Sequence, residues 1–171
     1  SRAPTRGERT APVQLVVFTD YQCPYCARLE PALHKLYTRY AGKVAITVKH
    51  YPLSFHREAR GAAEAAYCAH KQGRFWPMHD GIFQADIQTL DAKVITKIAE
   101  RIGLDMGHYT DCLAHPGTGA AIDADMAEGQ RIGLQGTPTL MFNGRRYDMG
   151  FGASVDELAQ TVELLLRADQ D

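Results

Sequence analysis

The stretch FTDYQCPYCARLEP, Phe18 to Pro31, decides how this chain folds. It starts where an apolar, β-branched run, Val13 to Thr19 (VQLVVFT), is ending, and it places Cys23 and Cys26 around a proline. That run, bounded by Pro12 and Asp20, reads as a buried strand. From Pro24 the pattern changes to helical spacing, with Leu29, Leu33, Leu36, Tyr37 and Tyr40 on one stripe that stops at Gly42. Val44 to Val48 (VAITV) is a second strand, closed by Tyr51-Pro52. Strand, helix and strand at this length predict a βαβ unit with parallel strands. The two cysteines fall on its first strand-to-helix junction.

A helix start suits the chemistry of a thiol couple. Pro24 fits the first helical position, where its missing N–H costs nothing. The unpaired backbone N–H groups and the positive end of the macrodipole lower the pKa of Cys23. The expectation is an exposed, attacking Cys23 and a more shielded Cys26 that resolves the mixed disulfide. A zinc site and a pair of inert core cysteines are the competing readings. Zinc needs four ligands, and the remaining cysteines, Cys68 and Cys112, lie far apart inside predicted helices. No metal is expected, and no cofactor.

Downstream the pattern is helical for a long way. Arg57 to Lys71 is Ala-rich, and helices are expected at Phe75 to Phe83, Asp91 to Ile102, Asp105 to Ala114 and Gly119 to Ile132. Gly73, Gly103 and Pro116-Gly117 punctuate them. Gly136-Thr137-Pro138 then opens a short extended run, Thr139 to Phe142, and Asn143-Gly144 leads to Arg145 to Met149, a hairpin signal. Ser154 to Ala168 is an amphipathic helix with Ser154 and Glu157 spaced as a capping box.

A chain of 171 residues suits one domain. Its 19 basic and 20 acidic residues give a net charge of -1, without a Lys/Arg run, so nucleic acid is not an expected partner. The run Val13 to Phe18 is far too short to span a bilayer, which takes about 20 residues. Residues 1–12 are polar, basic and Pro-containing, and read as a linker or N-terminal extension before one domain at 13–171.

The quoted segment, the downstream GTPTLMF and the helical block between them resemble the thioredoxin superfamily, and within it the DsbA-like thiol:disulfide oxidoreductases of bacterial envelopes. The resemblance covers nearly everything from Val13 to Ala168. It implies an α/β thioredoxin fold with a helical insertion, about 56–134, between the βαβ unit and a cis-proline hairpin. Pro138 would be that cis-proline, facing the dithiol, with Thr137 offering backbone hydrogen bonds to a bound peptide. From the residues alone, X-Pro bonds are cis in about 5–6% of cases, so the cis assignment belongs to the resemblance. Two departures stand out: Tyr25 occupies the position where DsbA-type oxidants carry a His, and Val17 the position where thioredoxins keep a buried acid. The first implies a less extreme oxidant, since a phenol offers a thiolate only a hydrogen bond. Asp20 and Thr137 are worded more like the DsbC and DsbG isomerases, which carry an N-terminal dimerisation domain; this chain is expected to be a monomer.

Related proteins also pair two cysteines within the insertion, which implies a Cys68–Cys112 disulfide and an oxidising compartment. Two buried free thiols are the alternative. Phe75, Trp76, Met78 and Phe83 have helical spacing, which favours core packing over a peptide groove. His50, His56 and His79, with Lys49, are candidates for tuning the dithiol, against the plainer reading of surface or core histidines.

The function so implied is a periplasmic or otherwise extracytoplasmic oxidase, secreted or membrane-tethered. It would pass the Cys23–Cys26 disulfide to reduced exported polypeptides, with Tyr25 beside the reacting sulfurs and a quinone-linked membrane protein resetting the couple. An isomerase or reductase on the same scaffold is one alternative. A non-catalytic peptide-binding module is another.

Overall fold

The computed structural model describes residues 2–148 and 153–169. Its described elements are β1 (Thr5–Arg6), β2 (Val13–Thr19), α1 (Pro24–Arg39), β3 (Val44–His50), α2 (Ala59–Lys71), α3 (Phe75–Gln84), α4 (Ala92–Arg101), α5 (Met106–Ala114), α6 (Pro116–Arg131), β4 (Thr139–Phe142), β5 (Arg145–Tyr147) and α7 (Val155–Ala168). The strands form one sheet in the order β1-β3-β2-β4-β5. β2 and β3 are parallel, with Val13 opposite Val44 and Thr19 opposite His50, so α1 is the crossover the sequence predicts. β4 runs antiparallel to β2 and β5 antiparallel to β4. The result is a thioredoxin-like α/β fold carrying the helices α2 to α6 between β3 and β4.

Apolar positions explain the layers. Val13, Leu15 and Val17 of β2, Val44 and Ile46 of β3 and Leu140 and Phe142 of β4 are buried together with Leu29, Leu33 and Leu36 of α1 and Leu158 and Val162 of α7. A second cluster lies within the inserted helices, where Ala62, Ala65, Ala66 and Ala69 let α2 approach Met78, Ile82, Ile95 and Ile98 closely. Tyr21 and Val48 join that cluster to the sheet. Cys68 on α2 and Cys112 on α5 are bonded, with S–S 2.04 Å and Cα atoms 5.8 Å apart, so they are not free thiols.

Within residues 1–12, read as a linker or N-terminal extension, two residues join the sheet as an edge strand. Thr5 and Arg6 pair with Thr47 and Ile46, Thr5 Oγ1 lies 2.8 Å from Thr47 Oγ1, and the Arg6 guanidinium sits 4.1 Å from the centre of the Trp76 ring. Gly7 has φ +94, and a Cβ there would lie 2.7 Å from the Val44 carbonyl oxygen. Such a short edge strand shows no period in the sequence; its partner strand makes it.

Other differences are at ends. β3 runs on to His50, two residues past Val48, and α1 stops at Arg39 with Tyr40 as its C-cap. α6 begins at Pro116, not Gly119, because the His115 ring accepts from Gly117 N at 3.0 Å and Pro116 takes the first helical position. The hairpin forms at Asn143 (φ 46) and Gly144 (φ 79), the positive-φ pair of a tight turn. Its return strand is Arg145–Tyr147, and Met149 lies outside the described residues. The capping box of α7 is present, with Ser154 N donating to Glu157 Oε2 at 2.7 Å.

Candidate functional site

The turn between β2 and α1 is built by one carboxylate. Asp20 Oδ1 accepts from Gln22 N at 2.7 Å and the Asp20 carbonyl accepts from Cys23 N at 3.1 Å, an Asx-type turn that reverses the chain onto α1. Cys23 is the N-cap residue, Pro24 opens the helix, and Cys26 lies within the first turn. The register of β4 on β2, with Thr139 opposite Phe18, carries the preceding Thr137–Pro138 bond past the strand end to the same turn. That bond is cis, and Cys23 Sγ donates to the Thr137 carbonyl at 3.4 Å.

Cys23 does not stand open to solvent: it is 4% exposed and Cys26 is 1% exposed. The expectation of an exposed Cys23 is therefore corrected, because its Sγ turns toward Thr137 while Pro24 and Tyr25 take the solvent side. Tyr25 is half exposed, with the Arg28 guanidinium 4.7 Å from its ring centre.

The two sulfurs titrate far apart. The Cys26 thiol donates to Cys23 and is the largest cause that lowers the Cys23 pKa from 9.0 to about 5; burial opposes, and the Thr137 hydroxyl and the backbone N–H groups of Cys26 and Tyr25 assist. The helix start thus contributes, but behind the neighbouring sulfur. Cys26 moves the other way: burial first, then the hydrogen bond to Cys23 and its charge, push the thiol up. Thr137 Oγ1 is buried without a partner in hydrogen-bond geometry among the described residues, near enough to favour both thiolates.

The histidines take separate places. His56 Nδ1 lies 2.7 Å from Asp20 Oδ2, which also accepts from Leu53 N at 2.8 Å, so His56 reaches the turn before the cysteines. His79 is paired through Nδ1 with the Tyr21 hydroxyl at 2.8 Å, and its Nε2 lies 3.1 Å from Glu30 Oε2 without hydrogen-bond alignment. His50 is buried against Tyr21 and Phe75, and burial lowers its pKa to about 3, which keeps it neutral. Lys49 is held by Glu128 at 2.7 Å and Asp125 at 3.5 Å. Phe75 and Met78 are core residues, with Trp76 and Phe83 packed against them. Sequence reasoning missed the Asp20–His56 and Tyr21–His79 pairs; both join residues far apart in the chain. Among the described residues no cluster of metal-ligating side chains occurs.

The Thioredoxin family model matches residues 2–163, nearly the whole chain. The chain belongs to the thioredoxin superfamily. BdbD from Bacillus subtilis, in its oxidised form, is 25% identical with a TM-score of 0.83, over 96% of this chain and 93% of that one. A thioredoxin-like oxidoreductase from Silicibacter pomeroyi is 25% identical with a TM-score of 0.81, over 99% and 93%. The thiol-disulfide exchange protein alpha-DsbA2 from Wolbachia pipientis, 19% identical, shares the fold with a TM-score of 0.85, over 95% and 87%. Among curated relatives, the Na(+)/H(+) antiporter NhaA 3 of Salinispora tropica is 38% identical over 143 residues, 83% of this chain and 22% of the antiporter. The chain spans about a quarter or less of the length of the curated relatives it matches. No described helix is long and apolar enough to cross a membrane.

Proposed function

We propose that the protein introduces disulfides into exported polypeptides through Cys23 and Cys26, in the periplasm or another extracytoplasmic space. The observation that carries this reading is the placement of Cys23 at the N-cap of α1 with Cys26 one turn in, beside the cis Thr137–Pro138 bond, an arrangement that lowers the Cys23 pKa to about 5 and pushes that of Cys26 up. A substrate thiolate attacks Cys23 Sγ of the disulfide form; the S–S bond breaks, and Cys26 leaves with the electron pair and takes up a proton. The substrate's second thiolate then attacks its own sulfur in the mixed disulfide, and Cys23 leaves as a thiolate. The substrate loses two electrons and two thiol protons, one ending on Cys26 and one in solvent. A thiol that ionises near 5 is a good leaving group, so this last step favours release of the oxidised substrate.

The cis Thr137–Pro138 segment presents its backbone next to Cys23, which supports its role in holding an extended peptide. Tyr25 and Pro24, on the solvent side of the couple, border the same contact. A quinone-linked membrane protein is the proposed partner that takes the two electrons back. The reduction potential, measured by equilibration with glutathione, tests the direction. A value toward about -120 mV supports an oxidase, and one near about -270 mV assigns the scaffold to reduction or isomerisation.

The antiporter relatives favour a second reading, in which the same exchange is directed at the cysteines of a membrane transport protein. A Cys26→Ser variant traps mixed disulfides, and the identity of the trapped protein separates the two.

A further inference from the structure

Among the described residues, the large apolar side chains left exposed are Tyr25, Phe55, Leu113 and Leu164. A single exposed apolar residue needs no explanation. Phe55 needs one because of how it is held. At 76% exposure it sits at the tip of the loop from β3 to α2, and that loop is stitched to the turn that carries Cys23. Leu53 N and His56 Nδ1 bond Asp20 Oδ2 at 2.8 and 2.7 Å, and Glu58 N donates to Gln22 Oε1 at 2.6 Å. The Phe55 ring rests edge-on against His56, with centroids 4.5 Å apart and planes at 68°. A ring, an imidazole and a carboxylate thus run in contact from the loop tip to the backbone N–H of Gln22, the residue before Cys23.

Asp20 is 1% exposed, and taking a carboxylate out of water costs several kcal/mol unless its oxygens are bonded. Here Oδ2 is bonded by two groups of the loop and Oδ1 by Gln22 N of the turn, so the buried carboxylate ties the loop conformation to the turn. The polar residues beside the tip, Ser54 and Arg57, offered ordinary loop chemistry, yet the side chain fixed outward is a phenyl ring. A fixed aromatic surface costs little ordering entropy when a partner packs on it.

We propose that Phe55 is a specificity-determining contact of the exchange reaction. It packs against a large apolar side chain flanking the reacting cysteine of the substrate, and the Asp20–His56 pair is its positioning device. The substrate class selected is a non-native polypeptide whose cysteine is flanked by residues such as Leu or Phe, which a folded protein would bury. This rests on the exchange reading of Cys23 given above.

The test compares the oxidised enzyme's kcat/KM for two reduced dicysteine peptides of equal length, one with Leu and one with Asp beside the first cysteine, and its exchange rate with glutathione. The wild type prefers the Leu peptide by about tenfold, the value of partly burying one such side chain. In Phe55→Ser the ratio of Leu-peptide to Asp-peptide kcat/KM falls toward one through a higher KM for the Leu peptide, and Phe55→Trp keeps the preference. His56→Ala loses the preference with Phe55 still in place, and His56→Asn, whose amide N–H replaces Nδ1–H, restores it. An unchanged ratio in Phe55→Ser overturns the proposal, as does a wild type without preference. A wild type that exchanges with no thiol, glutathione included, overturns the exchange reading itself.

Discussion

Cys23 Sγ lies 3.4 Å from the carbonyl oxygen of Thr137, across the sheet edge from the turn that ends β2. In the thiol form Cys23 donates to that carbonyl. On ionisation the bond is surrendered, and the Cys26 thiol, the Thr137 hydroxyl and the N–H groups of Cys26 and Tyr25 face the charge. Thr137→Val keeps the shape and removes the hydroxyl, so the Cys23 pKa rises from about 5 toward the ordinary thiol range. Alkylation rate against pH in the variant reads the shift; an unmoved midpoint would mean that the hydroxyl does not act on the thiolate.

Stability of the reduced protein depends on pH through the same sulfur. A pKa of about 5 in the folded form against 9.0 for an ordinary thiol means that the unfolded chain binds the proton more tightly. The stabilisation is therefore full above pH 9 and is lost as pH falls through 5. The melting temperature of reduced wild type relative to Cys23→Ser should climb between those limits and flatten below 5. Fluorescence of Trp76, the one tryptophan, follows the melt. A difference independent of pH would contradict the shift.

The Cys68–Cys112 bond closes a loop of sequence separation 44 and ties α2 to α5. In the chain-entropy model it stabilises the fold by about 4 kcal/mol. Replacing both cysteines by Ala should lower the free energy of unfolding by roughly 2–5 kcal/mol, measured by denaturant titration. Exchange at Cys23 should survive wherever the variant remains folded.

Much of this was legible in the sequence. Val13 to Thr19 is the observed strand residue for residue, because a β-branched run between Pro12 and Asp20 has no competing local structure. The Asn143-Gly144 turn and the Ser154 cap are local chemistry, and local chemistry can be read locally. What stayed hidden is non-local. Arg6 finds Trp76, His56 finds Asp20 and His79 finds Tyr21, contacts that no period or spacing encodes. The acidity of Cys23 was readable as a direction from its place before Pro24; its leading cause, the Cys26 thiol, needed coordinates.

Gly129 on α6 lies against the loop that follows β3. A Cβ there would stand 2.7 Å from Cδ2 and Cε2 of Tyr51, whose own N donates to the Thr19 carbonyl at 2.9 Å. Gly129→Ala should destabilise by about 1–3 kcal/mol, the usual cost of overpacking. Tyr51→Ala in the same chain should relieve part of it, so the two changes are not additive. A neutral single variant would mean that the ring moves freely.

Cys23 is the acidic sulfur of the pair, and the rate of its alkylation in the reduced protein as a function of pH is the decisive measurement. The expected result is a single step with its midpoint at about 5 and no reaction at Cys26 over the same range. A midpoint near the 9.0 of an ordinary thiol, or labelling of Cys26 first, would contradict it.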